Sequence, residues 1–284
     1  MSSRRRLLLF ALALAGVTSG ACSKGGGAVE PSGPTAILAG APARTIAASS
    51  ARIAINAAVK GQIKGTFAGE GAFAFGTERG RLVLDLRPLG LAGTDRTEIL
   101  LDRDVVFLKL GGALPGLGQR PWVRIDLSKL KKGQGDGIEA LRQLRANDPR
   151  AVINELRGVT GDAEKVGTEA VRDVETVHYR ATVDLDKAAA ASPAGVRDDL
   201  REVARQLGTS KLAVEAWLDA DGRVRRLRYT VDLARLDENA PAKGAGRGTV
   251  VATLDLFDFG TDVAVAPPPA DQVTDLADLL GTAR

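Results

Sequence analysis

Alternation of apolar and polar residues with a period of two recurs along most of this chain, and it limits the fold more than any other feature. It is clear in residues 66–75, where Phe73 and Phe75 share a face, and again in residues 82–86. Because successive side chains of a strand point to opposite faces, each such segment predicts a strand with one buried face. The same pattern appears in residues 53–55, 97–101, 105–110, 122–127, 163–171, 176–185, 212–218, 223–233, 249–259 and 263–266. Polar turns between the segments predict a meandering antiparallel sheet.

A smaller group of segments shows helical spacing. Residues 35–48 are rich in Ala, but Pro42 lies in their middle, so we expect a helix that breaks or begins there. Asp148 and Pro149 are typical of an N-cap and a first helical residue. Further helices are predicted over residues 137–145, 149–156, 193–207 and 271–280. Amphipathic helices in the middle of the chain can cover the apolar face of an antiparallel sheet.

The N-terminus has the pattern of an export signal. Three arginines at residues 4–6 precede an apolar run over residues 7–17, and small residues 19–21 precede Cys22. A basic start, a short apolar middle and a small-residue exit are typical of a secretory signal peptide, which we place at residues 1–21. The apolar run is shorter than the about 20 residues that a bilayer-spanning helix needs.

Cys22, the only cysteine, stands where a lipid would be attached. Residues 19–22 resemble a lipobox, although Ser19 replaces the usual Leu. We therefore predict a diacylglyceryl thioether at Cys22, whose two acyl chains would hold a membrane firmly, and a flexible tether over residues 22–33. The alternative is an ordinary signal peptide with an incidental cysteine. The residues around the arginines fit a twin-arginine signal as well as a plain basic start, so the export route stays open.

Charge and composition argue against several classes of protein. The chain has 39 Lys and Arg against 35 Asp and Glu. Residues 1–21 hold three of the arginines and no acidic residue, so the exported chain has 36 against 35 and a net charge of +1. This near balance does not support nucleic-acid binding. A hydrophobic content of 44% is enough for a packed core, and a single cysteine rules out an internal disulfide.

No pattern typical of an enzyme is present. The single histidine, His178, lies on a predicted strand, where a surface or hydrogen-bonded role is the usual one. There is no Gly-x-Ser-x-Gly elbow and no phosphate-binding loop. Asp255 and Asp258 fall on opposite faces of a strand, and one His with one lipidated Cys cannot form a typical zinc site. We therefore predict no catalytic residues, no metal and no cofactor.

The last third of the chain contains a turn signal and a basic cluster. Asp221 and Gly222 predict a hairpin with a two-residue turn. Arg225, Arg226 and Arg228 follow, and they could contact a lipid headgroup or phosphate. The alternative is a solvated strand face that protects a sheet edge.

Behind the lipobox-like start, several stretches match a known protein family in the same order along the chain. They are residues 105–110, 120–127, 148–149, 166–169, 176–180 and 216–226. Over roughly residues 45–280, this chain resembles the actinobacterial LppX/LprA/LprF/LprG lipoprotein family. The resemblance implies an α+β half-barrel similar to the LolA and LolB lipoprotein carriers, with helices over the concave face of a curved antiparallel sheet. It also implies acylated lipid held between sheet and helices.

We therefore expect residues 34–284 to form a single half-barrel domain that binds acyl chains for lipid carriage or transfer in the cell envelope. Each acyl methylene removed from water contributes about 0.8 kcal/mol. The expected contacts are the inward-facing residues Phe73, Phe75, Leu84, Leu86, Val106 and Leu108. The protein would be a monomer anchored to the outer face of the plasma membrane, with a membrane transporter as a candidate partner. The alternative is an anchored interaction or sensor module with a filled core, because alternation alone does not distinguish a cavity from a packed interior.

Overall fold

The structure, a computed structural model, describes residues 33–61, 65–85, 96–110, 120–129, 149–192, 194–235 and 248–281. Its helices are α1 (Pro34–Ala47), α2 (Pro149–Asn154), α3 (Leu185–Ala190), α4 (Ala194–Leu207) and α5 (Leu276–Gly281). Its strands are β1 (Ser50–Gly61), β2 (Gly65–Ala74), β3 (Arg79–Asp85), β4 (Thr97–Asp102), β5 (Val105–Lys109), β6 (Trp122–Asp126), β7 (Glu164–Val171), β8 (Val174–Asp184), β9 (Lys211–Leu218), β10 (Val224–Asp232), β11 (Gly248–Phe257) and β12 (Val273–Asp275).

The strands follow the order β12-β6-β5-β4-β3-β2-β1-β11-β10-β9-β8-β7 in a single sheet. Neighbouring strands from β2 to β6 and from β7 to β11 pair antiparallel, and β12 pairs parallel with β6. The predicted fold class, an α+β fold on an open antiparallel sheet of the half-barrel type, is confirmed. Short connections between successive strands give this meander its order.

The described residues fall into two compact units. Unit 1 contains those within residues 1–47, 59–64 and 143–255, and unit 2 those within residues 48–58, 65–142 and 256–284. In unit 1, helices α1, α2 and α3 pack near strands β7 to β10. In unit 2, β2 to β6 form consecutive antiparallel pairs, and α5 packs against β6 and β12.

Helix α1 continues through Pro42, so the expected break is wrong. The missing N–H of a proline inside a helix costs about 3 kcal/mol. Here Leu38, Ala41, Pro42 and Thr45 form a buried face of the helix. The Thr45 hydroxyl donates to the Ala41 carbonyl at 2.8 Å and accepts the backbone N–H of Val224 at 2.9 Å. Burial and these two bonds within unit 1 offset the loss.

The turn between β9 and β10 is longer than predicted. The hairpin itself is confirmed, but the backbone N–H of Asp219 donates to the carbonyl of Arg223 at 3.0 Å, which closes a loop of residues 220–222. Gly222 has φ +70°, the left-handed value that a three-residue hairpin loop requires. The Asp219 carboxylate accepts the N–H groups of Asp221 and Arg223 and so satisfies the loop backbone.

The end of the chain departs furthest from the prediction. Residues 263–266 do not form the predicted strand, and the predicted helix over residues 271–280 is replaced by a 3-10 turn (Ala270–Gln272), β12 and α5. Helix α3 was not predicted, although Asp184 caps it by accepting the N–H groups of Asp186 and Lys187. The predicted helix over residues 137–145 lies outside the described residues.

Candidate functional site

Strand register in unit 2 places the predicted lipid contacts on one side of the sheet. Phe73 pairs with Gly80, Gly80 with Leu101, and Leu101 with Val106, so these residues share a face. We call it the Phe73 face; its other members are Leu82, Leu84, Thr97, Ile99, Leu108, Val123 and Ile125. Phe75 follows β2, and its ring centroid lies 6.0 Å from that of Phe73. The contact role of these residues stays a prediction, and Leu86 and Cys22 lie outside the described residues.

Glycines shape the Phe73 face. A Cβ at Gly80 would lie 2.5 Å from Cδ2 of Phe73, and one at Gly69 would lie 2.2 Å from Cδ2 of Leu84. Each large side chain therefore lies across a glycine on the neighbouring strand. The large side chains therefore pack directly against the backbone of the neighbouring strand, and the apolar surface of both is removed from water. The result is a low, apolar surface at β2 and β3.

One polar side chain interrupts this surface. Thr97, opposite Leu84 on β4, is 2% exposed, and its hydroxyl has no hydrogen-bond partner in the described part of the chain. A buried hydroxyl without a partner is unfavourable. The Phe73 face is thus almost wholly apolar, with a single unsatisfied group.

The opposite side of β4 to β6 carries charged side chains, but it also holds an apolar cluster, which the sequence analysis missed. Leu100, Phe107 and Trp122 form a buried cluster there, and Val105, Val265 and Val273 pack against it. The C-terminal segment of unit 2 therefore covers this cluster, which we call the Trp122 cluster. The signal was present in residues 105–108, a continuous apolar run that indicates a strand buried on both sides.

In unit 1, strands β8 to β10 present a second buried surface. Tyr179 pairs with Ala216, and Ala216 pairs with Leu227, so these three side chains lie on the same side of the sheet. On each strand, every second residue from them lies on that side too. We call it the Tyr229 face; its members are Tyr179, Ala181, Val183, Leu212, Val214, Ala216, Leu218, Leu227 and Tyr229. The backbone carbonyl of Val152 on α2 accepts the Tyr229 hydroxyl at 3.4 Å. Helices of unit 1 therefore cover the Tyr229 face.

A buried acidic residue lies beneath these helices. Glu155 follows α2 in the 3-10 turn Glu155–Gly158 and is 0% exposed. Burial raises the pKa of Glu155 to about 8, against a smaller lowering by the neighbouring Tyr229 hydroxyl. Burial is the larger cause and the nearby Glu155 carboxyl the smaller one that raise the pKa of Tyr229 well above its usual value. Both groups are therefore neutral at neutral pH. Sequence analysis gave no sign of this site, because a Glu after a short helix is ordinarily exposed.

The other side of β8 to β10 carries the only histidine. The His178 ring stacks on Trp217 with centroids 4.1 Å apart. Nε2 of His178 lies 2.9 Å from a Glu215 carboxylate oxygen, and the Trp217 indole N–H donates to Glu169 at 2.6 Å. The hydrogen-bonded role predicted for His178 is confirmed. The arrangement immobilises a tryptophan that would otherwise be exposed.

Two arginines of the cluster on β10 are paired with carboxylates of the protein, and the third lies over a tryptophan ring. Arg226 donates two hydrogen bonds to Asp255, at 2.6 and 2.7 Å, and Arg225 donates to Asp219 at 2.8 Å. The Arg228 guanidinium lies 5.4 Å from the Trp217 ring centroid. Because β10 lies between β9 and β11, the expected protection of a sheet edge is wrong. These contacts also engage the charges that a lipid headgroup would need.

The described residues contain no group of three or more His, Cys, Asp or Glu side chains placed to hold a metal ion. None of the described helices has the length and apolar content that crossing a bilayer requires.

Comparison with known proteins gives the following similarities. No family model matches the chain. An uncharacterised 31.2 kDa protein of Streptomyces griseus, from the rplA-rplJ intergenic region, is 26% identical over 185 residues, which cover 63% of this chain and 56% of that protein. The match thus spans little more than half the length of that relative.

The chain is also similar to several solved structures. The lipoprotein LppX of Mycobacterium tuberculosis has a TM-score of 0.45 and 13% identity, covering 81% of this chain and 98% of LppX. LprF of Mycobacterium bovis has a TM-score of 0.43 and 14% identity, covering 84% and 97%. A LolA superfamily protein of Nitrosomonas europaea has a TM-score of 0.27 and 13% identity, covering 84% and 96%. LppX and LprF are two of the proteins after which the family in the sequence analysis is named, and the structure of this chain is similar to both.

Proposed function

We propose that this protein is a non-enzymatic, membrane-anchored lipoprotein that binds the acyl chains of a lipid and carries or transfers that lipid in the cell envelope. The Phe73 face supports the proposal most directly. Across β2 to β6 it presents aliphatic and aromatic side chains, all less than a tenth exposed except the half-buried Leu101, with Thr97 as its polar member. A surface of this kind favours an acyl chain through burial alone, without a specific polar contact.

The anchor and location complete the proposal. Cys22 would carry the diacylglyceryl group after removal of residues 1–21, and residues 22–33 would connect it to the folded part. The protein would then be exported and held at the outer face of the plasma membrane as a monomer, with a membrane transporter as a candidate partner.

Native mass spectrometry of protein purified from membranes tests the proposal. The wild type is expected to carry lipid as a distinct mass increment. Leu108→Phe, which adds volume on the Phe73 face, is expected to reduce the lipid-bound fraction. Leu100→Phe is the matched control, because Leu100 is similarly buried but lies in the Trp122 cluster. If the purified wild type carries no lipid and also takes up no added lipid, the proposal is overturned.

A second candidate is an anchored protein-interaction module. Strand β7 ends the sheet order, and its residues from Glu164 to Ala170 are exposed or half-buried. Val166 is 44% exposed, the one large exposed hydrophobic side chain in the described ranges. An edge strand of this kind can pair with a strand of another protein. Absence of lipid in the experiment above, with the fold intact, would favour this candidate.

A further inference from the structure

The carboxyl of Glu155 is the least expected polar group in unit 1. It is 0% exposed, and neither carboxyl oxygen has a partner at hydrogen-bond geometry among the residues that the structure describes. Burial of a polar group without a partner is costly, and such groups are rare in folded proteins. Apart from the nearby Tyr229 hydroxyl, the described residues offer this carboxyl no polar group, so it keeps hydrogen-bonding capacity for a further partner.

Several buried apolar residues and one hydroxyl lie near Glu155. Ile153 and Leu156, its neighbours in sequence, are fully buried, and α1, which contributes the fully buried Leu38, packs against the same turn. The Tyr229 hydroxyl adjoins the carboxyl from β10, and its bond to the Val152 carbonyl is long at 3.4 Å. Carboxyl and phenol thus form a pair of polar groups within an apolar layer.

We propose that Glu155 and Tyr229 form a polar subsite within unit 1 that hydrogen-bonds a neutral hydroxyl or carbonyl group of a lipid. This inference rests on the proposed function, since it specifies the polar part of the ligand. The subsite lies wholly within unit 1.

The protonation state decides which ligand group fits. With its pKa raised to about 8, Glu155 at neutral pH is a carboxylic acid, which donates one hydrogen bond and accepts others. A neutral alcohol or ester can exchange hydrogen bonds with an acid and a phenol. An anion would have to leave water for a largely apolar layer beside a carboxyl group, which is strongly unfavourable.

Four probes with the same alkyl chain separate these possibilities: dodecane, dodecanol, dodecylammonium and laurate. The full chain carrying Cys22→Ser, which removes only the anchor, is titrated at neutral pH with each probe. Displacement of a neutral fluorescent dye, N-phenyl-1-naphthylamine, reports binding. Dodecanol is expected to bind about tenfold more tightly than dodecane, because it gains about one hydrogen bond with the subsite.

Variants assign that difference to the subsite. Glu155→Leu is expected to abolish the preference for dodecanol while leaving the affinity for dodecane unchanged. Glu155→Gln, whose amide also donates and accepts, is expected to keep most of the preference, and Tyr229→Phe to reduce it. Glu175→Leu, at an exposed position on β8, is the control and is expected to change neither affinity. Circular dichroism confirms that each variant is folded.

The outcomes distinguish the inference from the proposed function. If wild type binds dodecane and dodecanol equally, the subsite is overturned, its partner is an ordinary buried water, and lipid binding still stands. Tighter binding of dodecylammonium than of dodecanol overturns the neutral-ligand assignment, because it requires an ionised Glu155. If wild type binds none of the four probes, the proposed function itself fails.

Discussion

At the scale of single residues, Glu155 makes the stability of the protein depend on pH. Its pKa in the folded protein is about 8, against an ordinary value of 4.5. A folded-state pKa above the unfolded value means that the folded protein holds its proton longer. The associated stability is complete below about pH 4.5 and is lost as the pH rises through about 8. Within that window the free energy of unfolding falls by about 1.4 kcal/mol per pH unit.

Glu155→Gln removes this titration and keeps the shape of the side chain. The difference in unfolding free energy between wild type and Glu155→Gln is expected to shift against wild type by on the order of 3 kcal/mol between about pH 5 and about pH 7.5. Denaturant titrations at several pH values measure it, and other titrating groups cancel in the difference. A difference that stays constant with pH would show that Glu155 is not buried as a neutral acid.

At the scale of elements, glycines allow β2 and β3 to approach each other closely. A Cβ at Gly71 would lie 1.9 Å from the Arg81 carbonyl oxygen, which belongs to the backbone and cannot rotate away. Gly71→Ala is expected to lower the free energy of unfolding by about 1–3 kcal/mol, because the strands must separate. Gly76, in the turn after β2, has no atom within 4 Å of an added Cβ.

Gly76→Ala is therefore the matched control, and its expected effect is within about 1 kcal/mol of wild type, since only chain entropy changes. Urea denaturation of both variants measures the comparison. Equal stability of Gly71→Ala and wild type would contradict the close packing of β2 on β3.

Some of the strands and helices could be predicted from the sequence, and others could not. Alternation identified most strands and the shared side of Phe73, Leu84 and Val106, because a period of two follows directly from strand geometry. It missed the continuity of α1 through Pro42, because tertiary burial in unit 1 outweighs a local cost. It also missed β12, whose three residues are too few for a pattern to appear. Local sequence rules describe local geometry, and these features depend on contacts far along the chain.

The candidate site divides in the same way. The Phe73 face could be predicted, since it is a property of strand register and residue type. The Glu155 subsite could not, because a single acidic residue becomes unusual only when α1 and β10 bury it. Similarly, the Trp122 cluster depends on Val265 and Val273, which come from a segment more than a hundred residues further along the chain.

At the scale of the whole molecule, the proposed attachment to a membrane would depend on one covalent bond. Without residues 1–21 the chain has 36 basic and 35 acidic residues. Its basic cluster on β10 is engaged by Asp219, Asp255 and Trp217. Electrostatic attraction to anionic lipid contributes about 1 kcal/mol for each free Lys or Arg near the surface. Charge alone is therefore too weak to hold this protein.

Cys22→Ala is accordingly expected to abolish incorporation of radiolabelled palmitate and to release the leader-processed chain from membranes at both low and high salt. Two acyl chains give stable anchoring, and their removal leaves no comparable attraction. Ser23→Ala, one residue further on, is the control and is expected to keep label and location. Label that persists in Cys22→Ala would refute the anchor. Release of the unlabelled chain only at high salt would instead show that a basic surface binds the membrane.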